Sequence, residues 1–315
     1  MDRRVFIKTA AGAGALIATS QLPSLADDRQ LVFQGRGRFE RLSVSYATVN
    51  IGLKKPFSVL HLSDSHLTSA YESEDEWRRD KSQSRTRTFG GLQEEALVCA
   101  LEWAKRHVDY VVHTGDLIDY QSEANFDLVR KYFGDNMIGN LGNHEFYHRK
   151  WDESHQEDYK DETRNILQKV YPFDLSLYSQ VVNGVNFVTL DDVFGYVTKK
   201  QVKEFRKEVK KGLPIVLCMH VPFYTENIWR ATHRFWYTDG PLTDGSLPEI
   251  KGDFKTQEED KTTREFIAYL KKEPLLKCIL AGHEHITVED QFSPTCREYM
   301  TAGSFLFHGR EVLFI

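Results

Sequence analysis

Five apolar runs in this 315-residue chain each end in side chains that bind metal ions. The run 57–62 leads into Asp64 and His66, and 108–113 leads into Gly115, Asp116 and Asp119. The run 137–141 leads into Gly142, Asn143, His144 and Glu145, while 213–219 ends at His220. The run 276–281 leads into Gly282, His283 and His285. Carboxylate, imidazole and amide oxygen donors suit divalent or trivalent ions such as Zn, Mn or Fe, and no thiolate lies in these blocks. In Asp64-x-His66 and His283-x-His285, alternate residues of an extended segment point the same way, so each pair can converge on one site. Gly115, Gly142 and Gly282 each precede a ligand type, where glycine permits a sharp turn and close backbone approach.

The elements that must hold these residues are legible as periodicity. Helical patterns cover 92–107, 122–133, 163–170, 199–211 and 256–272. Strand patterns cover 57–62, 110–113, 185–190, 215–219 and 278–281. The segment 30–50 reads as extended, and the chain turns β-rich again after His285. Asn183-Gly184 between two β-rich runs signals a hairpin with a tight turn. This alternation predicts an α/β domain with a largely parallel sheet core plus antiparallel pieces. Functional groups gather at the carboxyl ends of such strands, so five strand ends would place seven ligand-type side chains in one crevice.

The ordered blocks D-x-H, G-D-x-x-D, G-N-H-E, H and G-H-x-H, from Asp64 to His285, resemble the calcineurin-like metallophosphoesterase superfamily. The resemblance implies a four-layer α/β/β/α sandwich and two metal ions about 3.5–4 Å apart. It implies that Asp64, His66 and His285 hold one ion and that Asn143, His220 and His283 hold the other, with Asp116 bridging both. A hydroxide bridging the ions would attack the phosphorus of a phosphomonoester or phosphodiester. His144 is not a ligand in this family; it would protonate the leaving oxygen or stabilise the transition state, with Glu145 a candidate to orient it. Purple acid phosphatases, one branch, carry a metal-bound Tyr three residues after the bridging Asp. Here that position is Asp119, and Tyr120 is one place too late, so a Tyr-ligated iron site is not expected. Asp119 is instead expected to hold a ligand imidazole.

Any one of the seven ligand candidates could be an ordinary strand-end polar group, but seven in family order argue against coincidence. His61 and His113 are expected beside the site or in the core, and His107, His148, His155 and His308 as plain structural or solvent-facing residues. Two insertions flank the blocks. Segment 69–91 is dense in charge and reads as a solvated loop; 222–255 mixes Tyr224, Trp229, Arg230, His233, Arg234, Trp236 and Tyr237. That second segment could grip a ring and a phosphate, or simply fold onto the domain.

The bulk properties narrow the function classes. Net charge is −5, which gives no broad attraction for nucleic acid or an anionic membrane. Cys99, Cys218, Cys278 and Cys296 form no C-x-x-C pair, and Cys218 and Cys278 sit in apolar runs that read as buried strands. Arg3-Arg4-Val5-Phe6-Ile7-Lys8, a small apolar stretch and Pro23-Ser24-Leu25-Ala26 resemble a twin-arginine export signal over 1–26. The stretch 9–19 is short of the ~20 residues a membrane span needs. The expectation is therefore an exported enzyme, periplasmic or otherwise outside the cytoplasm, with one metallophosphoesterase domain over 30–315. Its substrate would be a small-molecule or lipid phosphate ester, not nucleic acid. The rival class is a non-catalytic scaffold on the same fold, disfavoured because ligands and His144 are intact.

Overall fold

The computed structural model describes residues 41–134, 136–148, 157–236 and 250–315. The signal-like segment 1–26 and the extended stretch 30–40 lie outside the described residues. Eleven strands are present among the described residues: β1 (Ser43–Val49), β2 (Phe57–Leu62), β3 (Tyr110–Thr114), β4 (Met137–Asn140), β5 (Leu177–Val182), β6 (Val185–Leu190), β7 (Ile215–Cys218), β8 (Leu276–Ala281), β9 (Glu289–Ser293), β10 (Cys296–Met300) and β11 (His308–Phe314). They form two sheets, ordered β1-β11-β2-β3-β4 and β5-β6-β7-β8-β10-β9. Strands β2, β3 and β4 are parallel, as are β6, β7 and β8, so the ligand-bearing ends share one direction within each sheet.

Period-two alternation sends opposite faces of each strand into different cores. Phe57 and Val59 of β2, Val112, Ile138 and Phe314 meet Phe187, Val216, Cys218, Cys278 and Leu280 between the sheets. The other face of the second sheet, with Val188, Leu217 and Ile279, packs against Phe205, Trp229, Phe266 and Leu270. Burial on both faces explains why these strands read as continuous apolar runs. All four cysteines are free thiols, buried as small apolar residues.

The helices are α1 (Glu76–Thr88), α2 (Gln93–His107), α3 (Glu123–Tyr132), α4 (Glu157–Leu167), α5 (Lys199–Val209), α6 (Glu226–Trp236), α7 (Asp253–Glu259) and α8 (Lys261–Leu270). Helix α2 packs on β3 and β11, and α5 on β5 and β6, which completes the α/β/β/α layering. No helix among the described residues is long and apolar enough to cross a membrane.

Three local readings change. The expected helix over 256–272 is two helices, because Asp260 closes α7 and its carboxylate then accepts the Thr263 N–H at the start of α8. The expected helix over 163–170 begins earlier, at Glu157. The charged segment 69–91 is not simply a loop: it carries α1, capped by Asp75, whose side chain accepts the Arg78 N–H. Helix α1 buries no residue, so it has no apolar stripe for a sequence reading to find. The hairpin at Asn183-Gly184 forms as expected, with φ of 50° and 84° at those residues and β5 antiparallel to β6.

Candidate metal centre

The strand ends bring all seven ligand candidates to one crevice. His66 Nε2 lies 3.0 Å from His285 Nε2, and His285 Nε2 lies 3.5 Å from Asp64 Oδ1. On the other side, Asn143 Oδ1 lies 3.0 Å from His220 Nε2 and 3.1 Å from His283 Nδ1. Asp116 stands between the two groups, its Oδ2 3.7 Å from His66 Nε2 and 3.4 Å from His220 Nε2.

Local backbone geometry is unusual at these residues. Asp64, His66, Asp116, His283 and His285 all have positive φ, between 47° and 70°. Left-handed backbone costs of order 1–3 kcal/mol at such residues, so it persists only where surrounding structure dictates it. The parallel strands end and the chain turns sharply, aiming each side chain across the gap. Space is equally tight: a methyl group at Gly142 would overlap the Asp116 carboxylate, and one at Gly282 would overlap Ser63.

The protonation pattern fits a metal. His66 Nδ1 is 2.9 Å from Asp119 Oδ1, and His220 Nδ1 is 2.7 Å from the Thr114 carbonyl. Each imidazole donates its Nδ1–H outward, which leaves Nε2 as the nitrogen facing the pocket. Asp64 Oδ1 is buried with no hydrogen-bond partner, an orphan acceptor aimed at the same space. Burial alone would lower the His220 pKa, yet the Asp116 and Asp64 charges push it up to about 10. Concentrated negative charge of that kind is what a cation would neutralise. Two three-residue groups, Asp64–His66–His285 and Asp64–Asp116–His220, have donors close enough for a single ion. Asp119, His66 and His144 also cluster. There, however, the Asp119 oxygens already bind both Nδ1 atoms and Arg85, so Asp119 is a positioning residue, as the sequence suggested.

His144 is fixed by Asp119 through Nδ1, 2.9 Å from its carbonyl and 3.0 Å from its carboxylate. Burial would lower the His144 pKa, but Asp116 and Asp119 raise it to about 9. Glu145 does not orient His144. Its buried carboxylate instead accepts the N–H groups of Asp116, Leu117, Ile118 and Gly142 at 2.7–3.2 Å, and so fixes the backbone that carries Asp116. Tyr120 is also off the site, its hydroxyl bonded to the Ser69 and Arg78 carbonyls. His61 and His113 are fully buried beside the site, bonded to Thr114 and Ser65.

The sequence reading missed two contributors. Arg85 of α1 donates to Asp119 through Nε at 2.6 Å and through Nη2 at 2.9 Å. Asp253 Oδ2 lies 3.4 Å from His283 Nε2, the nitrogen opposite the pocket. No spacing rule links either residue to the ligand blocks. Segment 222–255 divides: Trp229 is buried in the outer core, whereas Trp236 is half exposed with its ring 5.5 Å from His285. Tyr237 lies outside the described residues.

A family model described as calcineurin-like phosphoesterase matches residues 57–287, which includes every ligand candidate. Among solved structures, the fold is similar to a putative 5′-nucleotidase from Staphylococcus aureus at 15% identity and TM-score 0.43, covering 79% of this chain and 49% of that one. The chain thus spans about half the length of that protein. A dimetal phosphatase from Danio rerio matches at 13% identity and TM-score 0.42, covering 79% and 88%. The structure of PhoD matches at 12% identity and TM-score 0.47, covering 84% and 58%. No curated protein shows significant similarity.

Proposed function

Because the chain belongs to the calcineurin-like phosphoesterase family, whose members are hydrolases that bind two divalent metal ions, we propose that it cleaves a phosphate monoester or diester at the centre described above. The observation that carries this reading is the paired donor set astride one carboxylate. Asp64, His66 and His285 would hold one ion, Asn143, His220 and His283 the other, and Asp116 both. The donors suit Mn, Zn or Fe. Bound there, the ions supply a water of lowered pKa and positive charge against the phosphoryl oxygens.

The chain's own residues do the rest. Asp119 holds His144 through Nδ1, so the ring addresses an ester through Nε2. Asp119, bonded to Nδ1, favours a proton on His144, and Nε2 is the nitrogen that can pass one to the leaving oxygen. His144 and His66, with Arg85, keep Asp119 ionised against its burial, and the two-point bond from Arg85 holds it in place. The intact donor set and His144 favour this reading over a scaffold. The twin-arginine-like pattern of 1–26 supports a location outside the cytoplasm, with 30–315 as the working domain.

The test is metal content together with initial rates on a chromogenic monoester and the matching diester, with Mn or Zn added. About two ions per chain and turnover are expected. His144→Ala should keep both ions and lose about 10²–10⁴-fold in kcat. A chain that binds no metal and turns over neither ester would return the scaffold reading.

A further inference from the structure

The two flanks of the metal pocket differ in chemistry. Beside Asp64, His66 and His285 stand aromatic rings from three separate elements. Phe89, at the end of α1, stacks on His66 with centroids 4.3 Å apart and planes 14° apart. Phe305 meets Phe89 at 4.7 Å, His285 at 5.3 Å and His66 at 5.8 Å. Trp236, the last residue of α6, sits edge to face with His285 at 5.5 Å. Around His283 the surroundings are acidic: Asp253 abuts His283, and Glu284 interacts with both His283 and Trp236.

Trp236 is the informative member. It is 48% exposed although it lies beside a ligand imidazole, and the neighbouring Phe235 is 50% exposed. Its indole packs edge to face on His285 at 5.5 Å and on Phe235 at 4.9 Å. A half-buried indole packed on a ligand imidazole is a stacking surface with less entropy to lose on binding than a free one. Flat rings stack on such surfaces in offset or edge-to-face geometry, which a flexible alkyl chain cannot reproduce. Asp253, 3.4 Å from His283, would repel an anionic leaving group and so favours an uncharged one.

We propose that the flank formed by Phe89, Phe305 and Trp236 binds the leaving group of the substrate, and that this group is an uncharged flat ring system. The inference rests on the hydrolase reading and names the substrate class for it. Phe89 and Phe305 then act as a wall behind the ligand imidazoles, and Trp236 is the specificity-determining face.

The test compares esters of one alcohol type with and without a ring. Adenosine 5′-monophosphate and ribose 5-phosphate share a primary 5′ leaving group, and their methyl diesters extend the pair to diester cleavage. The expected result is a higher kcat/KM for the adenosine member of whichever pair turns over. Trp236→Ala should shrink that preference about three- to tenfold, the scale of one aromatic contact, while two metals stay bound. Trp236→Phe should restore most of it. Equal kcat/KM for the two members, or a preference untouched by Trp236→Ala, would overturn the inference while leaving the hydrolase intact. Loss of all turnover in the metal-loaded wild type, ribose esters included, would remove the hydrolase reading and this inference with it.

Discussion

The two sheets contribute unequal halves of the metal centre. Side chains of Asp64, His66 and Asp116, from the first sheet, are at most 2% exposed; from the second, His220 is as deeply buried, but His283 and His285 are 23% and 14% exposed. The supports differ in the same sense. Glu145 collects four backbone N–H groups behind Asp116, and Asp119 is locked by a two-point bond from Arg85. On the second side, Asp253 is itself 24% exposed and sits 3.4 Å from His283. The contrast teaches which half is preorganised and which faces the solvent from which substrate arrives. Rigid placement of charge belongs on the enclosed side, where low dielectric strengthens it.

The comparison is broken most severely at its hinge. Asp116 belongs to the first sheet but stands between the two ligand groups, 3.7 Å from His66 and 3.4 Å from His220, so on the proposed reading Asp116→Ala should remove metal pairing altogether. The expected loss in kcat/KM is at least about 10³-fold, at or above the ~10²–10³ that losing a single charge-stabilising donor costs. Metal analysis should find fewer than two ions per chain; two ions still bound would show that the halves do not depend on Asp116.

Next in size is the backbone support on the enclosed side. Glu145→Gln turns one acceptor oxygen into a donor facing at least two donors, either the Leu117 and Ile118 N–H groups with the Tyr171 hydroxyl, or the Asp116 and Gly142 N–H groups. Leaving two buried donors unpaired should cost about 3 kcal/mol of stability, at ~1–3 kcal/mol each. Denaturant unfolding measures this directly. An unchanged midpoint would mean that Glu145 does not brace the strand end.

The outer supports then test the asymmetry itself. Arg85→Gln should lower turnover about 10–100-fold, the range for residues that orient ligand imidazoles. Asp253→Asn should cost less than about 10-fold, because a quarter-exposed carboxylate is screened by water. Equal losses in the two variants, compared at saturating Mn, would erase the distinction between the halves.

Much of the centre was legible because chemistry and period coincided. Each ligand block follows a largely buried strand that reads as mostly apolar despite Ser58, His61 and Lys277, and the glycines mark where backbone must pass close to a carboxylate. Arg85 and Asp253 were not legible. Helix α1 presents no apolar stripe, so its charge read as solvation, and only the tertiary fold sets Arg85 against Asp119. Glu145 was visible as a residue but given the wrong partner. Sequence adjacency suggested His144, whereas the tight turn 142–145 points the carboxylate back at the strand end. The break at Asp260 was hidden for a similar reason, because α7 and α8 together mimic one helical period.

The smallest expected effect lies behind His220. Asp192 Oδ1 accepts the His220 and Val221 N–H groups at 3.0 and 3.3 Å, and its Oδ2 is buried without a partner. Burial pushes its carboxyl up to about 7, with the bonds from His220 opposing, and Glu298, whose Oε2 is likewise unpartnered, interacts with its charge. A carboxyl raised in the folded state is easier to bury protonated than ionised. Its contribution is therefore complete below the unfolded pKa of about 4 and is lost as pH rises through about 7. Asn mimics the protonated form and keeps the oxygen that accepts both N–H groups. Asp192→Asn should accordingly change stability by less than about 1 kcal/mol at pH 5 and should be relatively more stable than the wild type at pH 8. A loss as large as that of Glu145→Gln, constant across that pH range, would show that the carboxylate form of Asp192 is required and that the second half is braced as firmly as the first.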